Sequence, residues 1–222
     1  NQTLMALPDS LISRRQLVLA TAASLASLPA WAQAPKTVKL VVPFPPGGST
    51  DILARAIGAR LATQMGITVV IENKGGAAGS VGAGEVARMA PDGATLMMGH
   101  IGTLAINPSI YPKLPYDPVK SYEPIGMVAR VPLILLAHKD VPVGNLKQLT
   151  AAVRATPDKY VYGSFGNGTT GHFAGELMWS ALGIKVTHIP YKGSAPAMND
   201  LIGGQIPLSV DTVAAALPQL KG

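Results

Sequence analysis

The sequence predicts an α/β fold of two lobes, and three observations carry that expectation. From residue 36 onward, short β-branched runs alternate with longer helical patterns, as in parallel sheets flanked by helices. The alternation restarts after a loop rich in Pro and Tyr at 107–118, so one such unit follows another. Length agrees, because 222 residues permit one large domain or two small ones.

The first 34 residues stand outside this pattern. Arg14 and Arg15 form a charged start, the uncharged and largely apolar run LVLATAASLASL (17–28) follows, and AWA (30–32) and AQA (32–34) suit signal peptidase. The run is too short to cross a bilayer, which takes about 20 residues. Residues 1–34 are therefore expected to be an export signal, cleaved near Ala32 or Ala34; cleavage after Ala34 leaves 188 residues, expected to be soluble and exported to an envelope space or beyond it. A buried helix of the fold is the competing reading. SRRQL (13–17) is loosely a twin-arginine signal with Leu where Phe is usual, so the general secretory route is expected.

Lobe 1 is expected over 35–132. TVKLVVPF (37–44) reads as a buried strand, and Ile52, Leu53, Ala56, Ile57 and Leu61 then share one helix face that closes at Gly66. ITVVIE (67–72) is the next strand, followed by a glycine-rich loop at 74–79, a small-residue helix at 81–90 and the strand ATLMMG (94–99). The apolar stretch at 123–138 leads into lobe 2, expected over 133–222. There the pattern predicts helix 146–155, strand 159–163, a glycine loop, helix 172–182, strand 185–189, helix 195–202 and strand 205–210.

Composition excludes several functions. With 48% hydrophobic and 14% charged residues the chain is not disordered. Zero cysteines exclude a disulfide framework, a thiolate metal site and a cysteine nucleophile, and they fit an oxidising compartment. The net charge of +6 comes from Lys and Arg placed almost singly, which argues against nucleic acid and suits small anions. His100, His138, His172 and His188 form no HExxH or HxH pair, so no metal site is indicated.

Two places where a strand runs through glycines into a helix are the most informative. In PFPPGGSTD (43–51), Gly47 and Gly48 permit close backbone approach, and Ser49 or Thr50 can cap the helix. In GSFGNGTTGH (163–172), four glycines precede the helix, with Thr169 and Thr170 near its start. Helix N-termini carry unpaired N–H groups and the positive dipole end, so each loop is a candidate seat for a carboxylate or phosphate. Either loop alone is equally an ordinary capped glycine turn. Two of them, one per lobe, favour a ligand held between lobes.

Gly166, Gly168 and Gly171 stand in GxGxxG spacing, but the next strand ends IPYKG (189–193), without the acid that would hold a ribose. Ser164 is not in GxSxG, because Tyr162 stands at the first glycine position. His172 reads either as a donor to an anion or as a locally satisfied helix-start residue. Asp51 and Asp211 read as structural residues in preference to an acid/base pair, since a carboxylate at a helix start is favoured on dipole grounds alone.

The segments PFPPGGSTDILAR (43–55), IENKGGAAGSVGAGEVARMAPDGATLMMG (71–99), YEPIGMVARVPLILLAH (122–138), YGSFGNGTTGHFAGEL (162–177) and IPYKGSAPAMNDLIGGQI (189–206) together resemble the Bug proteins, receptors of tripartite tricarboxylate transporters. The resemblance covers essentially all of the chain after residue 34. It implies a periplasmic receptor with a type II-like periplasmic-binding-protein fold, closing on a small carboxylate, with no catalysis and no cofactor. It implies that Pro46, Gly47, Gly48, Ser49, Thr50 and Asp51 form one wall, and that Ser164, Gly166, Asn167, Gly168, Thr169 and His172 form the other. Tyr191, Lys192, Gly193, Asp211 and the loop after Gly99 are expected to flank them. The implied partners are the small carboxylate and a membrane permease, with the receptor a monomer. Family members continue beyond this point with a return to the first lobe, so lobe 1 is expected to be incomplete and to expose apolar surface. The competing functions are an exported hydrolase or lyase using Ser164 or His172, and a sensory receptor for a membrane kinase.

Overall fold

A computed structural model describes residues 36–220; the export-signal reading of 1–34 lies outside them. Strand β1 (Thr37–Val42) buries Leu40, Val41 and Val42, as a central strand covered on both faces must. Pro43, which has no N–H to donate to a ladder, follows its end. It lies between β2 (Thr68–Asn73) and β3 (Thr95–Met97) and is parallel to both. Helix α1 (Ser49–Met65) makes the crossover from β1 to β2 and ends at Gly66, whose N–H returns to the Ala62 carbonyl. Leu53, Ala54 and Ile57 of α1 pack on Leu40, Val42 and Ile71; of the predicted helix face Leu53 and Ile57 meet this sheet, whereas Ile52 and Ala56 are exposed and Ala54 and Gly58 are buried in their place.

The second sheet has the order β4-β7-β5-β6, formed by β4 (Leu133–Ala137), β5 (Val161–Ser164), β6 (Thr187–Pro190) and β7 (Leu208–Thr212). Strand β5 is parallel to β6 and β7, whereas β4 is antiparallel to β7. Tyr162 and Leu135 enter a cluster with Leu149 and Trp179, while Val161 and Leu136 enter another with Met198 and Ala216. Alternate strand residues thus feed opposite faces, and helices cover both. The fold is α/β, with two parallel-rich sheets flanked by helices.

Several elements depart from the sequence expectation. A 3-10 turn (Ala77–Gly79) precedes α2 (Ser80–Val86), which stops short of the predicted residue 90. The stretch 107–118 opens with a helix instead of a loop, because a π-helical turn (Gly102–Ile106) runs into α3 (Asn107–Ile110). The cause is tertiary: the buried Asn107 amide donates to the Ala78 carbonyl at 3.0 Å and to Ser80 Oγ at 2.9 Å. Of the apolar run 123–138 only Leu133–Ala137 is strand, and Ile125 and Met127 are exposed. Helix α4 (Leu146–Ala155) falls where predicted, and Asn145 Oδ1 caps it by accepting from Gln148 N–H at 2.9 Å. Helices α5 (Thr170–Ala181) and α6 (Ser194–Ile202) start earlier than predicted, and α7 (Val213–Ala216) follows β7. No helix among the described residues is long and apolar enough to cross a membrane.

Candidate functional site

A cleft lies between the two sheets. Phe44, Pro45, Gly48, Ser49, Thr50 and His100 line one wall, and Phe165, Gly193, Ser194 and Thr212 line the other, around about 310 Å³ of empty space open to solvent. Each of these residues sits at the carboxyl end of a strand, in the loop that follows it, or in the first turn of the next helix. Open α/β sheets bind ligands at that edge, because the helices that follow begin there.

Each wall contributes a helix start. The N-cap of α1 is Gly48 and that of α6 is Gly193, and neither supplies a side-chain cap. This corrects the expectation that Ser49 or Thr50 caps α1; both lie inside its first turn and are buried. A methyl group on Gly48 would stand 3.5 Å from Ser194 Oγ, and one on Gly47 would stand 3.5 Å from Ala195 Cβ. Two helix N-termini therefore meet across the cleft, each with its positive dipole end and without a side-chain acceptor at the cap. Gly193 also has φ +112, and a side chain there would approach Pro45 Cβ at 3.2 Å. Glycine is thus required on both conformational and steric grounds.

Asp51 holds the α1 start in shape. Its Oδ2 accepts from Gly47 N–H and Arg55 Nε, each at 3.0 Å, and its Oδ1 accepts from Asn73 Nδ2 at 3.0 Å. Asn73 Nδ2 also donates to the Phe44 carbonyl at 3.0 Å, tying β2 to the loop after β1. Desolvation of Asp51 opposes its ionisation, but the bonds from Arg55, Gly47 and Asn73 and the Arg55 charge outweigh it, and the pKa is lowered. Replacing Asp51 by Ala is expected to lower stability by about 2 kcal/mol, since it leaves the Gly47 N–H and the Asn73 amide short of an acceptor. Urea unfolding of the two proteins measures this; equal midpoints would contradict the clasp.

Asp211 is fully buried, and its Oδ1 accepts from Ser194 Oγ at 2.9 Å and Thr212 N–H at 2.6 Å. Its Oδ2 takes no hydrogen bond from the described residues. Burial raises its pKa against those stabilising bonds. His100 packs edge-on against Phe44 with ring centroids 4.8 Å apart, and burial pulls its pKa down to about 4.

Of the second glycine loop only Phe165 lines the cleft. Gly168, at φ +73, faces the first sheet's loops instead: a methyl group there would stand 3.2 Å from Ile110 Cδ1 and 3.7 Å from Ala78 Cβ. Thr169 is the N-cap of α5 but makes no cap bond, and its hydroxyl donates to the Gly166 carbonyl at 2.6 Å. Ser164 is fully buried and shares a hydrogen bond of 2.8 Å with His188 Nε2. His188 stacks on His172 at 4.1 Å, so two histidines distant in sequence are neighbours in space. His172 Nδ1 accepts from Gly168 N–H at 3.3 Å. The Ser164–His188 pair has the contact a nucleophile and base need, yet Ser164 is inaccessible and no carboxylate hydrogen-bonds to His188 among the described residues. No group of three or more metal-ligating side chains is gathered among them.

His188 is pulled down to about 4 by desolvation first and then by the nearby His172, with Glu176 acting weakly in the opposite sense. Both His188 and His100 thus stay neutral when folded and protonate near the ordinary value of 6.5 when unfolded. The unfolded chain binds more protons between those limits, so stability is expected to fall as pH drops from 6.5 toward 4. Below 3.8 the lowered pKa of Asp51 adds to the loss, whereas the raised pKa of Asp211 acts above 3.8 and with opposite sign, offsetting part of the histidine slope. Replacing either histidine by Gln is expected to flatten the slope by about one proton; an unchanged slope in pH-dependent unfolding would refute that assignment.

Of the residues expected at the site, Gly48, Ser49, Thr50 and Gly193 line the cleft. Pro46, Gly47 and Asp51 lie in the loop and first turn behind that wall, and Asp211 reaches it through Ser194. Gly99 directly precedes His100. Ser164, Gly166, Asn167, Gly168, Thr169 and His172 lie outside the lining, as do Tyr191, whose hydroxyl donates to Asp200 Oδ2 at 2.7 Å, and Lys192. His100 belongs to the loop after Gly99 that was expected to flank the site, whereas Phe44, Pro45, Phe165, Ser194 and Thr212 were not singled out. Their common signal is position at strand carboxyl ends, legible once the strands are placed.

A cleft between two α/β sheets, bordered by facing helix starts, is the architecture of a two-lobed solute-binding protein. Residues 53–222 match the model of the tripartite tricarboxylate transporter family receptor, TctC. The chain belongs to that family. It is 34% identical over 206 residues to protein BugT of Bordetella pertussis, covering 92% of this chain and 63% of BugT. Among solved structures it is similar to R. palustris Rpa4515 with adipate, at 39% identity and TM-score 0.82, covering 85% of this chain and 64% of that one. It is also similar to MatC (Rpa3494) from Rhodopseudomonas palustris with bound malate, at 35% identity and TM-score 0.76, covering 83% and 63%. The chain spans 53% and 63% of the length of two curated relatives it matches.

Proposed function

We propose that this chain is the ligand-binding part of an exported receptor that captures a small organic carboxylate in the periplasm and delivers it to a tripartite tricarboxylate transporter permease. The observation that carries the reading is the meeting of two helix N-termini without side-chain caps, at Gly48 and Gly193, across the cleft. Backbone N–H groups there suit a carboxylate without a charged partner. Family membership and the adipate and malate bound in similar structures supply the ligand class. In this reading residues 35–132 and 133–222 are the two lobes, residues 1–34 are removed near Ala32 or Ala34, and the receptor acts as a monomer without cofactor or catalysis. In the wall of Pro46, Gly47, Gly48, Ser49, Thr50 and Asp51, the Gly48–Thr50 segment contacts the ligand, and Pro46, Gly47 and Asp51 hold that segment from behind. The loop with Ser164, Gly166, Asn167, Gly168, Thr169 and His172 is read as the second wall, with Phe165 its residue at the cleft.

Calorimetry against citrate, other di- and tricarboxylates, acidic amino acids and aromatic acids tests the function. Binding of at least one member, without turnover, is expected; a panel with no binding contradicts the reading.

A further inference from the structure

We propose that Ser194 and Asp211 give the cleft a fixed hydrogen-bond polarity that selects a carboxylate bearing a hydroxyl group, a refinement that rests on the carboxylate-receptor reading. Three donors converge on Asp211 Oδ1: Thr212 N–H at 2.6 Å, Ser194 Oγ at 2.9 Å and Thr212 Oγ1 at 3.3 Å. A carboxyl oxygen without a proton only accepts, so both hydroxyl hydrogens are committed to it. The direction is the same whether Asp211 is ionised or carries its proton on Oδ2. Thr212 Oγ1 is also used as an acceptor, by Ala215 N–H at 3.3 Å. Ser194 Oγ keeps its lone pairs, and Ser194 lines the cleft, so it offers a ligand an acceptor and no donor.

The surroundings have the opposite polarity. The starts of α1 and α6 present N–H groups, and His100 Nδ1 accepts from Gly102 N–H at 3.0 Å, which places the hydrogen of the neutral ring on Nε2. A carboxylate oxygen is satisfied by these donors but meets Ser194 Oγ lone pair against lone pair. A hydroxyl group at that point donates to Ser194. An ammonium group could also donate, but no carboxylate is among the described residues that line the cleft, and both Asp51 oxygens are taken by Gly47, Arg55 and Asn73. The two positive helix ends disfavour a cation further. Ser194 is therefore a specificity residue, and Asp211 positions its hydrogen.

Calorimetry on the full chain with matched pairs tests this: succinate against malate, and glutarate against 2-hydroxyglutarate, with aspartate as the ammonium arm. The hydroxyl member of at least one pair is expected to bind about 10-fold tighter, the effect of one hydrogen bond. Ser194→Ala is expected to erase that preference while leaving affinity for the unsubstituted acid within about threefold. Asp211→Asn retains an accepting oxygen and is expected to keep the preference, whereas Asp211→Ala frees the Ser194 hydrogen and loses it. Equal affinities within both pairs in the unmodified protein, or a preference that survives Ser194→Ala, would overturn the proposal even if that variant folds poorly in other respects. Aspartate binding tighter than malate would overturn the hydroxyl assignment. Absence of binding by every carboxylate would instead overturn the receptor reading, and this inference with it.

Discussion

The Gly48→Val variant is expected to lose carboxylate affinity by about 100-fold or more, as removal of one or two hydrogen bonds to a charged group would. Gly48 has φ −82 and ψ 169, an extended conformation that valine adopts readily, so the fold should survive. A valine N-cap costs no more than about 1 kcal/mol relative to glycine. Its Cβ would stand 3.5 Å from Ser194 Oγ, and its methyl groups would occupy the space between the two helix starts. Calorimetry together with a thermal melt separates the effects. A folded variant that binds as the parent does would remove this cleft from consideration as the site.

A second large effect is expected far from the ligand. Replacing Gly175 by Val in α5 should destabilise the chain by at least about 3 kcal/mol, at the upper end of overpacking costs. Any Cβ at this position falls against the Tyr162 ring, with Cζ at 2.7 Å and Oη at 2.8 Å. Tyr162 has nowhere to go: it is fully buried, its hydroxyl donates to Glu176 Oε1 at 2.7 Å, and its ring meets Trp179 edge-on at 5.7 Å. Protein interiors lack the voids to absorb such a shift. Denaturant unfolding gives the magnitude; a midpoint unchanged from the parent would mean that α5 moves away from β5 at little cost.

The α/β order was legible in the chain because its signals are local. Helix α4 shows this best: Asn145 caps it through Gln148 N–H and its apolar positions share one face, so no distant residue is needed to define it. Gly48 was legible as a close-approach position, although what approaches it, Ser194, lies far along the chain; Gly193, which meets Pro45, entered only through the family resemblance. Helix α3 was not legible, because Asn107 is held by Ala78 and Ser80 instead of by helical periodicity. The antiparallel direction of β4 was hidden for the same reason, since its composition matches that of a parallel strand and only β7 fixes its sense. Among site residues, the glycine motif at 163–172 drew attention to Ser164 and Gly168, while the neighbouring Phe165 is the one that lines the cleft. Spacing identifies a flexible loop but not which way each residue faces.

The measurement that bears most directly on the central claim is an amide chemical-shift titration of the isotopically labelled chain with a dicarboxylate such as malate. If facing helix N-termini seat the ligand, the largest shifts should fall on the amides of Ser49, Thr50, Ser194 and Ala195, whose N–H groups lie in the first turns of α1 and α6. Saturable binding with those amides unmoved, and with shifts confined instead to the glycine loop at 166–169, would contradict the account.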